Sequence, residues 1–292
     1  MATKPIVAGT DGSEESLRAV EWAAREAVLR GAPLRIVAAA ALPPRMISRA
    51  GVGQYDTVTD VIMKERDAAL RAAAERAART AHGLLIDTDP LSGAPAEAVT
   101  ESGAGALMLV LGSRGIGAFT ALVLGSVSRY AASHASCPVV AVRDENPAAR
   151  GLVGVGVGDL EECSDALTFA FEEASLRHAS LLALHAWHTP QGEISRAGQA
   201  FTAPGEEAAA ADAARQLAGL LDDWRAKYPD VLVSHEVVHG HPGRALIGLS
   251  ARADLVVMGR HDGHPGPHGP GPVRHAMLSH AHGPIAVVPS GR

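Results

Sequence analysis

Aromatic residues are scarce: four Phe, three Trp and three Tyr among 292 residues, 3% of the chain. Broad aromatic stacking is therefore excluded, and burial falls to Val, Leu, Ile and Ala, a set that suits parallel strands covered by helices. A basic excess is missing too, with 26 Lys and Arg against 32 Asp and Glu and a formal net charge of −6. The cations are scattered rather than clustered, so no field exists for a phosphate backbone and nucleic acid is not an expected partner. Cysteine numbers only two, Cys137 and Cys163. No disulfide framework can be built from them, and a reducing compartment fits. Cys137 stands just before Pro138 and an apolar run, which reads as a small buried hydrophobe rather than a reactive thiol. Long apolar runs are also absent: the longest, Ile36 to Leu42, ends at Pro43 and Pro44, and no apolar signal core follows Lys4. The expectation is a soluble, cytoplasmic chain with no membrane partner.

What is present is a chain of about two domains, 47% hydrophobic and 20% charged. It is written twice. At a shift close to 148, Ile6-Val7-Ala8-Gly9-Thr10-Asp11 falls beside Gly154-Val155-Gly156-Val157-Gly158-Asp159. Further on, Leu34-Arg35-Ile36-Val37 answers Leu182-Ala183-Leu184-His185, and Gly93-Ala94-Pro95 answers Gly240-His241-Pro242. The runs Ala106 to Gly112 and Pro138 to Val142 answer Ala253 to Gly259 and Pro284 to Val288. A duplication with a period near 147 explains all five matches. The polar stretch Asp144 to Arg150, with Pro147, reads as the linker, which gives domains over 1–146 and 147–292. Within each half, apolar runs of strand length alternate with helical patterns such as Ser13 to Arg30, Asp60 to Ala81 and Glu206 to Lys227. The order βαβαβαβαβ calls for an α/β fold: a doubly wound parallel sheet of five strands in each half, joined by right-handed crossovers.

In such a sheet, ligands bind beyond the carboxyl ends of the strands, so Asp11 after the first strand and Gly112 after the fourth are the places to look. Gly112-Ser113-Arg114-Gly115 leaves the fourth strand, nine residues follow, and Gly125-Ser126-Val127-Ser128 opens a helix. Glycines let a backbone approach a ligand and turn its N–H groups inward, and a helix start adds free donors and a partial positive charge, a combination that holds phosphate. Ser126 and Ser128 offer hydroxyls and Arg114 a cation. The same spacing also suits a glycine turn followed by a serine-capped helix. Asp11 is either a helix cap or an acceptor for a ribose hydroxyl or an adenine amine. The helix start after Asp11 already carries Glu14 and Glu15, which satisfy its dipole and repel an anion, so phosphates belong at Gly125.

The motif Gly112-x2-Gly115-x9-Gly125-Ser126, with the Asp11 strand end and the Pro138 to Val142 strand, resembles the ATP-binding subgroup of the universal stress protein family, in a tandem form spanning both halves. The resemblance implies an adenine-nucleotide α-hydrolase-like fold with strand order 3-2-1-4-5, which sets the ends of strands one and four side by side. It implies a nucleotide site made of Gly9, Thr10 and Asp11 toward adenosine and the backbone of Ala38 or Ala39 toward adenine. Gly112, Ser113, Arg114 and Gly115 would then run along the phosphates, with Gly125, Ser126, Val127 and Ser128 around the outer ones. It also implies ATP as the ligand, with Mg2+ accompanying the phosphates, and an internal pseudo-dimer through the last strands of the two halves, from which a homo-oligomer can be built.

Other chemistries find no motif. No G-x-x-x-x-G-K-[ST] is present, Gly154 to Asp159 lacks the third glycine of a dinucleotide fingerprint, and no G-x-S-x-G elbow marks a nucleophile. His261, His264, His268, His275, His280 and His282 crowd the last part among Gly and Pro, in spacings that match no metal signature. Between Gly112 and Ser128 there is no Asp, Glu or His to act as a base or to hold a metal. An ATP-binding stress-response regulatory protein with little or no turnover is therefore expected, ahead of a slow ATP-hydrolysing or phosphate-transferring enzyme or a nucleotide-free scaffold. In the second half, Gly271-Pro272-Val273-Arg274 stands opposite Gly125-Ser126-Val127-Ser128, after a spacer one residue shorter, and Asp262 adds a negative charge. Pro272 removes both a hydroxyl and an N–H. One nucleotide per chain, in the first half, is the expectation.

Overall fold

Short, unbroken apolar runs make the most deeply buried strands. β1 (Ile6–Gly9), β4 (Met108–Gly112) and β5 (Val139–Val142) are buried at every residue, the pattern of parallel strands covered on both faces. β2 (Leu34–Ala40) opens only at Arg35 and Ala39. β3 (Ile86–Ser92) is largely exposed, pairs with β2 alone, and carries Asp87, Asp89 and Pro90, which blunt an edge against further pairing. In the computed structural model, residues 3–40, 52–113, 125–143, 149–158, 163–187 and 203–291 are described. The chain divides into two compact units, Met1–Glu145 and Asn146–Arg292.

The first unit runs β1, α1 (Glu14–Arg30), β2, α2 (Val52–Thr80), β3, α3 (Pro95–Ser102), β4, α4 (Ser126–His134), β5. The second runs β6 (Leu152–Val157), α5 (Ser164–Leu176), β7 (Ser180–Trp187), α6 (Ala203–Lys227), β8 (Val233–His239), α7 (Pro242–Ser250), β9 (Leu255–Arg260), α8 (Pro272–His280), β10 (Ile285–Pro289). The ladders run β3-β2-β1-β4-β5 in the first unit and β10-β9-β6-β7-β8 in the second, all parallel. Two helices begin before their expected starts: α2 at Val52 rather than Asp60, and α6 at Ala203 rather than Glu206. Among the described residues no helix is long and apolar enough to cross a membrane.

The ladders fix the repeat, and they correct its register at the first two strands, where Leu34 stands opposite Leu181 rather than Leu182. Ile6 pairs with Leu34 and Met108, and Leu34 with Ile86. The residues 147 further on, Val153, Leu181, Leu255 and Val233, pair in the same way. Side-chain details keep that spacing. Glu26 is buried against Arg30 as Glu173 is against Arg177. Gly31 closes α1 at φ 59°, and His178 follows α5 at φ 51°. Asp11 therefore stands opposite Gly158, not opposite Asp159, which lies outside the described residues. Between the fourth and fifth strands the shift falls to 146, since Leu109 pairs with Val139 but Val256 with Ile285. This is the one-residue shortening read from the spacer.

Beneath β4 lies an apolar cluster that includes Val7, Val37, Val99, Leu109, Leu111 and Cys137. Cys137 is a core residue, and neither cysteine forms a disulfide. Gly9 is demanded by this packing, because a Cβ there would stand 2.5 Å from Leu111 Cδ2 and 3.1 Å from Val99 Cγ1. Gly154 and Gly156 play the same part on β6 against Leu249 and Leu246 of α7, so helix packing accounts for this glycine-rich run.

Candidate functional site

The turn from β1 into α1 is tied by hydroxyls. Thr10 is buried; its Oγ1 lies 3.0 Å from Ser16 Oγ and accepts the Gly12 N–H at 3.1 Å. Asp11 is exposed, and its Oδ1 accepts from both the N–H (3.0 Å) and the hydroxyl (2.6 Å) of Ser13. Ser13, not Asp11, is the cap of α1: its Oγ accepts the Ser16 N–H at 3.3 Å. Gly12 takes φ +82° with Ala69 against its face, a conformation that a side chain would strain. Asp11 is thus held by the turn at the end of β1, serving as partner of the cap. Glu14 pairs with Arg76 at 2.7 Å and Glu15 with Arg18 at 3.7 Å, which keeps acids at the start of α1. Arg76 also binds Glu21, and that hydrogen bond, with the one to Glu14, raises its pKa above the usual guanidinium value.

The end of β4 comes close to this turn. A Cβ on Gly112 would lie 3.0 Å from the carbonyl carbon and oxygen of Glu15 and 3.1 Å from Ser16 N, so the strand end touches the backbone of the first turn of α1. Gly112 is needed for that approach whether or not a ligand is near. Beyond it, Ser113 is buried, and its N–H donates to Val142 O at 2.9 Å. Two bonds close the motif on itself: Gly125 N–H donates to Ser113 O at 2.9 Å, and the buried Ser128 hydroxyl donates to Gly112 O at 2.6 Å. The start of α4 is thereby fastened beside the end of β4. Ser128 spends its proton on that latch, which differs from the phosphate donor expected of it. Gly125 gives α4 no side-chain cap, and Ser126 is exposed at the first helical position.

β2 completes the arrangement. Gly9 pairs with Val37 and Thr10 N–H donates to Val37 O at 2.9 Å, which carries the end of β2 with Ala38 and Ala39 next to the end of β1. The structure thus brings Gly9, Thr10, Asp11, Ala38, Ala39, Gly112, Ser113 and Gly125 to Ser128 to one end of one sheet. Arg114 and Gly115 lie outside the described residues. Three features were hidden in the sequence: the Ser13 and Ser16 hydroxyls that build the turn, the Ser128 latch, and the Glu15 backbone against Gly112. Only Ser13 gave a signal, as a Ser three residues before another at a helix start.

In the second unit, the corresponding end is lined differently. A cavity of about 340 Å³ opens at the ends of β6, β7 and β9, with Val157, Cys163, Leu184, Leu246, Met258 and Val273 among its walls. Pro272 is at the start of α8, where it is comfortable but donates nothing. Of the clustered histidines, His261, His264 and His268 lie outside the described residues, as does Asp262. His275, His280 and His282 are placed by α8 and the turn after it, where the His282 N–H donates to Ser250 Oγ at 2.9 Å. Among the described residues, no group of three or more His, Cys, Asp or Glu could hold a metal ion.

An α/β unit repeated at 147 residues, with glycines and serines gathered at the ends of the first and fourth strands of the first copy, matches a known family. The chain matches the universal stress protein family twice, over residues 2–143 and 151–289. It belongs to that family. A universal stress protein of Mycolicibacterium smegmatis is 35% identical over 266 residues, 88% of this chain and 86% of that protein. The universal stress protein Rv2005c of Mycobacterium tuberculosis is 35% identical over 296 residues, 97% of this chain and 96% of that protein. Among solved structures, a universal stress protein from Archaeoglobus fulgidus covers 100% of both chains with a TM-score of 0.71 at 16% identity, a likeness of fold.

Proposed function

We propose that the first unit binds ATP, with Mg2+ accompanying the phosphates, and that it works as a nucleotide-responsive regulatory module with little or no turnover. The observation that carries this reading is the start of α4 fastened beside the ends of β1 and β4 by the Gly125 to Ser113 and Ser128 to Gly112 bonds. That places an uncapped helix N-terminus, with its donors and partial positive charge, at the switch point of the sheet. The Asp11 turn on the other side of β4 offers a carboxylate toward a ribose. Magnesium would be held chiefly by the phosphates themselves, as this ion commonly is. The stretch from Gly112 to Ser128 supplies no carboxylate or imidazole as a base, so bound ATP is a stabilising ligand rather than a substrate.

Calorimetric titration of the full chain with MgATP, combined with mass spectrometry of nucleotide released from purified protein, tests this. One ATP per chain, a raised melting temperature and no steady phosphate release are expected. Absence of binding, two equal sites per chain, or sustained phosphate release that Ser126→Ala abolishes would each refute the reading.

A further inference from the structure

The third strand of each unit lies at a sheet edge, and the two differ in what they offer another chain. In the first unit, Leu34 N–H donates to Leu85 O at 2.9 Å, so β3 turns alternate backbone groups to β2 and directs those of Ile86, Thr88, Pro90 and Ser92 outward. Two of these outward positions are closed: Pro90 has no N–H, and the Thr88 N–H donates to Asp87 Oδ1 at 3.0 Å. In the second unit, β8 pairs with β7 alone among the described strands. Leu181 N–H donates to Leu232 O and Gly240 N–H to Trp187 O, so the backbone groups of Val233, His235, Val237 and His239 face outward. At the 147-residue register, Pro90 has become Val237 and Asp87 has become Ser234, so both closures are gone. Among the described residues, the outward N–H and C=O groups of these four have no hydrogen-bond partner. Apolar side chains flank the open row, with Leu232 77% and Val238 37% exposed.

We propose that β8 joins two copies of this chain, its edge pairing antiparallel with the β8 edge of a second copy about a two-fold axis that passes beside His235. An axis perpendicular to the sheet keeps every side chain on its own face, so the residues that meet are identical or separated by an even number. Centred on His235, the outward residues pair with one another: Val233 with Val237, and His235 with its own copy, each pair exchanging two N–H to C=O bonds. Between them, the Ser234 hydroxyl, which has only a long 3.4 Å contact to Leu181 O, meets the Glu236 carboxylate, whose Oε2 alone is held by Arg252, at 2.7 Å. Leu232 covers Val238, removing the two exposed apolar side chains from water. Neighbouring registers lose this complementarity. Centred on Glu236, two carboxylates oppose each other; centred on Ser234 or Val237, Glu236 falls opposite Leu232 or Val238. The closed β3 edge, with its proline and its occupied N–H, is a poor partner for the same strand. No residue of the nucleotide site proposed for the first unit takes part, so the two readings fail separately.

Sedimentation equilibrium of the full chain measures the association, and disulfide cross-linking reads its register. Val237→Pro copies the first unit's Pro90 and removes an N–H that β7 does not use, so it should raise the dissociation constant at least about tenfold and leave MgATP binding unchanged. Leu232→Lys alters an exposed side chain and should weaken the association by a similar factor, which guards against a proline that merely unfolds the unit, an event the melting curve would reveal. Any association through another surface would persist in both variants. Ser234→Cys chains mixed with Glu236→Cys chains should give a disulfide-linked pair on oxidation, because opposed residues at such positions lie within disulfide reach, whereas either variant alone should not. Wild type, whose Cys137 and Cys163 are buried, is the control. The proposal is overturned if the chain stays monomeric at its highest soluble concentration, if neither Val237→Pro nor Leu232→Lys weakens association, if the mixed cysteine variants fail to link, or if Glu236→Cys chains link to one another instead.

Discussion

Ser126 and Ser128 look alike in the motif, but the structure gives them opposite tasks, and a pair of alanine substitutions separates them. The Ser128 hydroxyl is buried and donates to Gly112 O at 2.6 Å. Ser128→Ala removes that donor, which costs about 1–3 kcal/mol for a buried group that loses its partner. For a domain of this size, each kcal/mol moves the melting temperature by roughly 2–4 °C, so a fall of about 2–12 °C is expected without ligand. Because the hydroxyl proton points to Gly112, its loss acts on MgATP only through a loosened α4, and the dissociation constant should rise less than about tenfold. Ser126 is exposed and takes no part in the latch. Ser126→Ala should leave the ligand-free melting temperature within about a degree, as exposed substitutions commonly do. If Ser126 donates to phosphate, it should weaken MgATP about ten- to a hundredfold, the value of a hydrogen bond to a charged group. Differential scanning calorimetry with and without MgATP, joined to titration calorimetry, reads both quantities. The reasoning fails if Ser128→Ala leaves the ligand-free melting temperature unchanged while weakening ATP as much as Ser126→Ala does.

Three further outcomes are expected. Gly9→Ala puts a Cβ 2.5 Å from Leu111 Cδ2 and should lower the urea midpoint by the equivalent of about 1–3 kcal/mol. The Gly9→Ala, Leu111→Ala double variant should be less destabilised than the sum of the two single changes, and strict additivity would refute the contact. Glu26, 1% exposed and 2.5 Å from Arg30 Nε, belongs to a buried pair, so Glu26→Gln should cost about 3–5 kcal/mol in urea unfolding. Arg79→Ala, which breaks an exposed 4.0 Å pair with Glu75, should stay within about 0.5 kcal/mol, and equal losses would contradict the burial argument. The Ser175 hydroxyl, 2.6 Å from Asp230 Oδ2, holds that carboxyl below its ordinary pKa, helped by a backbone hydrogen bond. A lowered folded-state pKa stabilises above the ordinary carboxylate range and is lost as pH falls through the folded value. Unfolding midpoints of wild type and Ser175→Ala should therefore differ at neutral pH and converge in acid; a gap that widens in acid would reverse the sign.

The duplication, the alternation of strands and helices, and the meeting of the ends of the first and fourth strands were all legible, because they follow from patterns along the chain. β1, β4 and β5 are apolar without interruption, and parallel strands covered on both faces leave that trace. Roles set by neighbours distant in sequence were not legible. Gly112 reads as a phosphate glycine, but its proximity to the Glu15 backbone appears only when β4 is laid against α1. Ser128 reads as a donor to a ligand because Gly112 O, sixteen residues earlier, is not visible as its acceptor. The register of the first two strands slipped by one because glycine and valine alternate in β6 and Leu181 and Leu182 stand side by side in β7, so either alignment matches as well; the ladders decide it. The buried Glu26 and Glu173 gave a signal that was readable, a Glu four residues before an Arg repeated 147 residues later, but charge at a helix end usually denotes solvent.

The two copies have diverged unevenly, and where they differ is physically informative. Contacts that build the unit recur at the same spacing: Glu26 with Arg30 and Glu173 with Arg177, Gly9 against Val99 and Gly156 against Leu246. Even the left-handed residue after the first helix is kept when its identity is not. His178 holds φ 51° where Gly31 holds 59°, at a steric cost of about 1–2 kcal/mol for a residue with a side chain. A turn that survives such a cost is being imposed by the packing around it rather than by its own preference. At the carboxyl ends of the strands the opposite holds, and hydroxyl and carboxylate positions have become Val157, Gly158 and Cys163. Side chains at the strand ends can change in this way while the buried strands that hold an α/β sheet stay in place. Pro272 makes the separation visible in one residue. At the first turn of α8 it suits the helix, so the helix begins as α4 does, but with one backbone donor and one hydroxyl fewer to offer an anion. The start of the fourth helix can therefore lose donors without the second copy losing its structure.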